Sequence, residues 1–345
     1  MAAGQLNTTF PPPSTSSVSR SRSSSPRKPS DSTYRTRTLF RAGILVDVKV
    51  PEEIQDTINI VLQSPPAEAA TLKSLASKLQ NESMELSMAQ AGETEWTDLL
   101  HEIVKGLKSS NLLVARNREW QPDIKPKVHQ PLISRPSVPQ KRLFDQSRAR
   151  DTSINNFWAK LTTPFLLKNP RPDISVGISD QALAIALQSR HVSNAKYLLN
   201  DLQETRALIS DPGLSSLSLR FPFFLVEAKS GATGGNLYQA QNQAAVGGAS
   251  AIEILKALYK ACEGQPLKTL APKGPSCELW AHFWDENEGN YCMANIDVWR
   301  TTHKDRAFDL VNKISSILNW GSTTFQAAIV EKLILFTPLY DPSTL

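Results

Sequence analysis

Hydrophobic and polar positions follow two different periods along the chain, and each period predicts a different element. Helices are predicted at residues 51–63, which begin with a proline and two acids, and at residues 67–79 and 94–107, the last of which carries apolar residues at helical spacing. Residues 173–179 instead alternate as in a strand, and residues 221–226 form an almost unbroken apolar run that is typical of a buried strand. Helices and strands in this order predict an α/β domain.

The second half of the chain continues the same pattern. A long helix is predicted at residues 237–262, and its small residues, among them Gly247 and Gly248, would let it lie close on a sheet. Residues 278–299 predict a hairpin with its turn at residues 285–290. Two further helices are predicted near the end of the chain, at residues 304–318 and 323–333.

Two stretches of the chain follow neither period. Residues 1–41 are rich in Ser, Pro and Arg, so we expect a disordered basic tail. This tail is either a nuclear-import or phosphorylation segment or a plain solvated linker. Residues 116–150 are rich in Pro, Lys, Arg and Gln, and we expect them to be a long irregular connection. The domain is therefore predicted at residues 42–345, with this connection inside it.

Composition narrows the class of protein without giving a function. The 345 residues are 40% hydrophobic and 21% charged, as in an ordinary globular protein. No apolar run approaches the roughly 20 residues of a membrane helix, so no membrane partner is expected. Three widely spaced cysteines indicate reduced thiols in an intracellular protein. The net charge of +5 arises in residues 1–41, which carry seven basic residues against Asp31.

The buried run at residues 221–226 ends in a Glu-Ala-Lys triplet. Side chains alternate along a strand, so Glu227 and Lys229 project to one side. Mg²⁺ prefers carboxylate oxygens, and a lysine beside it can orient a water or offset charge on a phosphate oxygen. Asp173, which follows a proline at the start of another predicted strand, is the candidate for a second metal ligand. The alternatives are a solvated ion pair and a turn aspartate after proline.

An acid-x-lysine triplet occurs three times in the chain, so its context has to select among the copies. The triplet that begins at Asp47 has only the tail upstream. The triplet that begins at Asp123 lies in the irregular connection. Only the triplet that begins at Glu227 combines a buried strand, an upstream strand that carries Asp173, and a following helix of small residues.

These residues give the chain a resemblance to a known family. A Pro-Asp dipeptide followed by an acid-x-lysine triplet resembles the signature of the PD-(D/E)XK nuclease superfamily, and the helix at residues 237–262 resembles the segment after this motif in a group of fungal PD-(D/E)XK nuclease-like proteins. The resemblance covers residues 93–345. It implies a restriction-endonuclease-like mixed sheet flanked by helices, Mg²⁺ or Mn²⁺ as cofactor, and hydrolysis of phosphodiester bonds in DNA or RNA.

The resemblance also implies roles for individual residues. Asp173 and Glu227 would bind the metal, and Lys229 would activate the attacking water and stabilise the transition state. The family adds an acid from the first core helix, for which three residues are available, namely Glu93, Glu95 and Glu102. We prefer Glu93, which shares the face of the apolar stripe, although an acid favoured by the helix dipole is the alternative. Gln243 best matches the polar position after the lysine, and Gln239 lies one turn earlier.

One feature departs from the family pattern. Asp173 and Glu227 are 54 residues apart, whereas the family often joins these two strands by a tight hairpin. A helical insertion at residues 180–208 would account for the spacing. This departure and the near-neutral charge of the domain motivate a second hypothesis, in which a nuclease-like fold binds nucleic acid or protein without hydrolysis.

Overall fold

The structure of the protein is a computed structural model that describes residues 33–129, 166–230, 237–262, 269–273 and 276–335. The strands are β1 (Ile44–Val46), β2 (Leu112–Arg116), β3 (Ile174–Ser179), β4 (Leu219–Val226), β5 (Thr269–Lys273), β6 (Ser276–Asp285) and β7 (Asn290–Arg300). The α-helices are α1 (Glu52–Leu62), α2 (Ala69–Met88), α3 (Glu93–Leu107), α4 (Asp180–Gln188), α5 (Ala195–Glu204), α6 (Leu237–Ala261), α7 (Lys304–Trp320) and α8 (Gln326–Ile334). The predicted α/β class is confirmed.

In the described ranges, seven strands form one mixed sheet in the order β1-β7-β6-β5-β4-β3-β2. Strand β3 runs antiparallel to both β2 and β4, whereas β4 runs parallel to β5. The predicted hairpin is confirmed, because β6 and β7 pair from Ser276 and Arg300 to Asp285 and Asn290. Strands β2 and β5 were not predicted from the sequence, since β2 is only five residues long and β5 contains a proline.

The two helices of the predicted insertion are present as α4 and α5. The buried Arg220 of β4 fastens them to the sheet, since its Nε donates to Asp180 Oδ1 at 2.7 Å and its Nη1 donates to the carbonyl of Leu199 at 2.9 Å. The insertion therefore forms a side unit that leaves β3 and β4 as direct neighbours. Its presence explains why two paired strands lie so far apart in sequence.

The small residues of α6 bring this helix close to the sheet, as the sequence predicted. A Cβ atom built on Gly248 would overlap the imidazole of His282, a buried residue of β6. A Cβ atom on Gly247 would lie 3.2 Å from the Leu225 Cδ1 atom of β4. Because α6 begins just beyond the Glu-Ala-Lys triplet, this packing fixes the helix beside the end of β4.

The chain is already packed before the predicted domain boundary at residue 41. Residues Tyr34–Leu39 form a short helical segment, and both of these end residues are buried. Arg35 donates from Nε to Asn242 Oδ1 at 2.9 Å and from Nη2 to Gln241 Oε1 at 2.6 Å. The tail boundary predicted from composition was therefore placed too late, since this segment packs on α6. Residues 1–32 of the predicted tail lie outside the described residues.

The predicted irregular connection at residues 116–150 is described only up to residue 129. Its first residue is the last residue of β2, and a short 3₁₀-helix follows at Pro122–Ile124. Across the described ranges, none of the helices combines the length and the apolarity that crossing a bilayer requires.

Candidate active site

The pairing of β3 with β4 brings two acids together at one end of the sheet. Ile174 pairs with Val226 and Ser175 with Leu225, so the same antiparallel register sets Asp173 beside Glu227. Both acids are nearly inaccessible to solvent, with 9% of Asp173 and 3% of Glu227 exposed. The long insertion therefore does not separate the two predicted metal ligands in space.

Backbone amides hold Asp173 in one orientation. The Ala228 N–H donates to Asp173 Oδ2 at 2.6 Å, and the Asn117 N–H donates to the Asp173 carbonyl at 3.0 Å. Burial raises the pKa of the Asp173 carboxyl above its ordinary value of 3.8, while the Ala228 amide and the Lys229 ammonium oppose this rise. Burial thus disfavours the charged form of Asp173, and a further cation nearby would stabilise it.

Lys229 links Asp173 to the first core helix. Its Nζ donates to Glu93 Oε1 at 2.5 Å and to the Ala228 carbonyl at 2.8 Å, and it lies 4.0 Å from Asp173 Oδ2. Only 8% of the Lys229 side chain is exposed, against 35% of the Glu93 side chain. Glu93 is the first residue of α3, so the ammonium sits where this helix meets the end of β4.

The other two acids of α3 point elsewhere. Glu95 is exposed, and Glu102 forms an ion pair with Lys78 of α2. Among the three acids considered from the sequence, the structure therefore brings Glu93 to the lysine.

Gln243 lies in the second turn of α6, one turn before Gly247. Because Gly247 packs on Leu225, Gln243 occupies the helix face that is turned toward the end of β4. Its Oε1 atom is buried and accepts no hydrogen bond within the part of the chain that the structure describes. Gln239, one turn earlier, is half-buried. A buried amide with an open acceptor suits contact with a ligand or an ordered water.

The two competing acid-x-lysine triplets have other surroundings. Asp123 pairs with Arg206, and Lys125 donates to the carbonyl of Leu167 at 2.9 Å. Asp47 follows β1 with a φ of 67°, so the first triplet does not continue as a strand. The sequence context favoured the triplet that begins at Glu227, which in the structure directly follows β4.

Two features of the site were not predicted from the sequence. The Ala228 amide orients Asp173, and no side-chain pattern signals a backbone donor. The Ser230 hydroxyl donates to the Ala91 carbonyl at 2.7 Å and so joins the end of the triplet to the start of α3. Residues 231–236, which connect the triplet to α6 and include three glycines, lie outside the described residues.

The arrangement supplies hard oxygen donors and one buried ammonium at a single edge of the sheet. Within the described ranges, no set of three or more His, Cys, Asp or Glu side chains is arranged to hold a metal ion. Mg²⁺ commonly uses only one or two protein carboxylates and keeps several waters.

Comparison with known proteins matches part of the chain to a protein family. A family model described as a domain of unknown function (DUF7924) matches residues 118–271. This segment contains Asp173, Glu227, Lys229 and Gln243, whereas Glu93 lies before it. No curated protein and no solved structure matches the chain.

Proposed function

We propose that the protein hydrolyses phosphodiester bonds of nucleic acid in a metal-dependent reaction, at the edge formed by Asp173, Glu227 and Lys229. The observation that carries this proposal is the position of the Lys229 ammonium, 4.0 Å from an Asp173 oxygen, with Glu227 next to Asp173 in the strand register. Two carboxylates and an ammonium at one point are suited to phosphoryl chemistry.

The donor set fits a magnesium or manganese ion. Asp173 and Glu227 would hold it, and Asp173 is already oriented by the Ala228 amide at 2.6 Å. When bound, the ion would supply Lewis-acid stabilisation of a phosphate oxygen. Mg²⁺ commonly uses one or two carboxylates and takes its other ligands from water and substrate phosphates. The positive ion would also relieve the cost of the buried Asp173 charge.

The chain's own residues perform the remaining tasks in this proposal. Lys229 donates to the phosphate oxygen on which negative charge develops, or orients the water that attacks phosphorus. Glu93, at 2.5 Å, holds the ammonium in place from α3. Gln243 offers a buried amide to the lysine or to the substrate.

The topology around the site supports a restriction-endonuclease-like arrangement. An antiparallel set of β2, β3 and β4 continues in parallel into β5, with α3 before this set and α6 after β4. The PD-(D/E)XK superfamily, which the sequence resembles, places its acids and lysine on two neighbouring strands of such a sheet. We therefore extend the proposal to membership of that superfamily.

Binding without hydrolysis is a second candidate function. The contact that favours it is the Lys229–Glu93 ion pair. The lysine side chain is only 8% exposed, and its ammonium is already bound by a carboxylate of the same chain. In that case nucleic acid would bind with the same affinity with or without Mg²⁺, and replacement of Lys229 by alanine would leave binding unchanged.

A cleavage panel tests the proposed function. Purified protein is incubated with single- and double-stranded DNA and RNA in Mg²⁺, Mn²⁺ or EDTA, beside Asp173→Asn prepared in the same way. We expect cleavage of at least one substrate with metal, none with EDTA and none by the variant. A folded wild type that cleaves none of the four substrates would contradict hydrolysis and favour the binding function.

Asp173→Asn is also expected to leave the metal-free protein as stable as the wild type or more stable at neutral pH. The raised pKa of Asp173 means that the folded state binds more protons than the unfolded state above pH 3.8, so this group lowers the free energy of unfolding as pH rises. Asparagine carries no charge and still accepts the Ala228 N–H. In EDTA, the melting temperature of the variant relative to that of the wild type should increase between about pH 4 and about pH 7. A variant that melts well below the wild type at pH 7 would contradict this account.

A further inference from the structure

Arg171 lies two residues before Asp173, between two prolines, and it is exposed. Its Nε–H donates to the Asn117 carbonyl at 3.1 Å, while the Asn117 N–H donates to the Asp173 carbonyl at 3.0 Å. One residue thus fixes both the arginine and the aspartate. Through these two bonds to Asn117, the guanidinium is held beside the backbone segment that carries Asp173.

The acidic residues at this edge of the sheet leave a need for positive charge, which Arg171 can supply. Glu93, Asp173 and Glu227 carry three negative charges against the single Lys229 ammonium, so a bound divalent cation would bring the site only to neutrality and leave no net positive charge to attract a phosphodiester. Lys229 is buried and held by Glu93, whereas Arg171 is exposed and its charge reaches Asp173, where it acts to lower the pKa of that carboxyl. The terminal amines of Arg171 make no hydrogen bond within the described ranges, beyond the one bond that Nε donates.

We propose that Arg171 binds a non-bridging oxygen of a substrate phosphate at the mouth of the site. This inference rests on the proposed function, because the phosphate belongs to the nucleic acid that the site would hydrolyse. A guanidinium presents two parallel N–H donors to a phosphate, and its Nε contact with Asn117 leaves the terminal amines for this purpose. Arg171 is thus a substrate-binding residue, and Lys229 serves the reacting group.

Kinetics of Arg171→Gln test the contact. We expect KM to rise about tenfold and kcat to stay within about threefold, because a substrate contact away from the reacting bond is lost. The slope of log(kcat/KM) against log salt should become shallower by about one, as for the loss of one phosphate contact. Arg171→Lys should restore the salt slope and only part of KM, since the ammonium keeps the charge but not the paired donors.

Lys105→Gln is the matched control. It removes one exposed positive charge from the last turn of α3, about 18 Å along the helix axis from Glu93. Its KM and salt slope should equal those of the wild type. Unchanged KM and salt slope in Arg171→Gln would overturn the inference and leave the proposed function standing. A fall in kcat alone, with KM unchanged, would also overturn it, because that result indicates a positioning effect on Asp173.

A binding measurement separates this inference from the hydrolysis itself. Fluorescence anisotropy with labelled single- and double-stranded DNA and RNA is recorded in EDTA, where no cleavage is expected. If the wild type binds a strand without ever cleaving it, weaker binding by Arg171→Gln supports the phosphate contact, and only the proposal of hydrolysis is contradicted. If the wild type neither binds nor cleaves any of the strands, both proposals fail.

Discussion

Replacement of Lys229 by methionine is expected to lower the rate of metal-dependent cleavage at least about a hundredfold, the usual loss when a preorganised donor to a developing oxyanion is removed. Methionine keeps most of the side-chain volume but donates no hydrogen bond. The Lys229 Nζ lies 4.0 Å from Asp173 Oδ2 and 2.5 Å from Glu93 Oε1, so the variant removes the ammonium from the centre of the site. Single-turnover cleavage at saturating Mg²⁺ measures the effect on the chemical step.

Lys105→Met is the control for this change. Lys105 is exposed on the same helix as Glu93, and its replacement also removes one positive charge. We expect its cleavage rate to equal that of the wild type. Equal rates in Lys229→Met and the wild type would show that the lysine serves the structure alone, as an ion-pair partner of Glu93.

Gly248→Ala is expected to destabilise the protein by about 3 kcal/mol, at the upper end of the range for overpacking a buried contact. The added methyl group would overlap the imidazole of His282, which is 2% exposed in the central strand β6 and has little room to move. The loss arises although alanine is the better helix former by roughly 1 kcal/mol.

Gly247→Ala offers a matched comparison at the neighbouring position. Its methyl group would meet the Leu225 Cδ1 atom at 3.2 Å, a contact that a small shift of the leucine relieves, so the gain in helix propensity should offset most of the cost. Denaturant unfolding gives the free energy of both variants. A Gly248→Ala protein as stable as Gly247→Ala would contradict the close packing of α6 on His282 of β6.

Elements with a strong local pattern were predicted well from the sequence. The apolar stripe in residues 94–107 predicted α3 to within one residue at its start, and the almost unbroken apolar run before Glu227 predicted the buried strand β4. Small residues at Gly247 and Gly248 predicted the close approach of α6. In each case a periodicity or a steric requirement lies within one segment of the chain.

Features that depend on contacts between distant segments were harder to predict. Composition assigned Arg35 to the tail, because its partners Gln241 and Asn242 on α6 lie 206 and 207 residues away. The five residues of β2 are too few to establish a period, although β2 completes the antiparallel set beside β3. Asn117, which fastens Arg171 and Asp173 through its backbone, carries no side-chain signal at all.

The candidate site also combines residues predicted from a local motif with contacts that only the fold creates. The sequence proposed Asp173, Glu227 and Lys229 from one motif and preferred Glu93 among three available glutamates for the fourth position. The register of β3 with β4 then set the two acids side by side, and the position of α3 brought Glu93 to the lysine. Only the three-dimensional structure shows that Glu93 contacts Lys229, since the two residues are 136 positions apart in the sequence.

The central claim is that this edge of the sheet hydrolyses phosphodiester bonds with a metal that Glu227 helps to hold. The most direct measurement is the Mg²⁺-dependent cleavage rate of Glu227→Gln beside the wild type, with circular dichroism to verify that both are folded. Glutamine keeps the shape of the side chain and removes the charge. The account predicts that cleavage by the variant falls to the rate seen in EDTA. Unchanged Mg²⁺-dependent cleavage by a folded Glu227→Gln protein would contradict it.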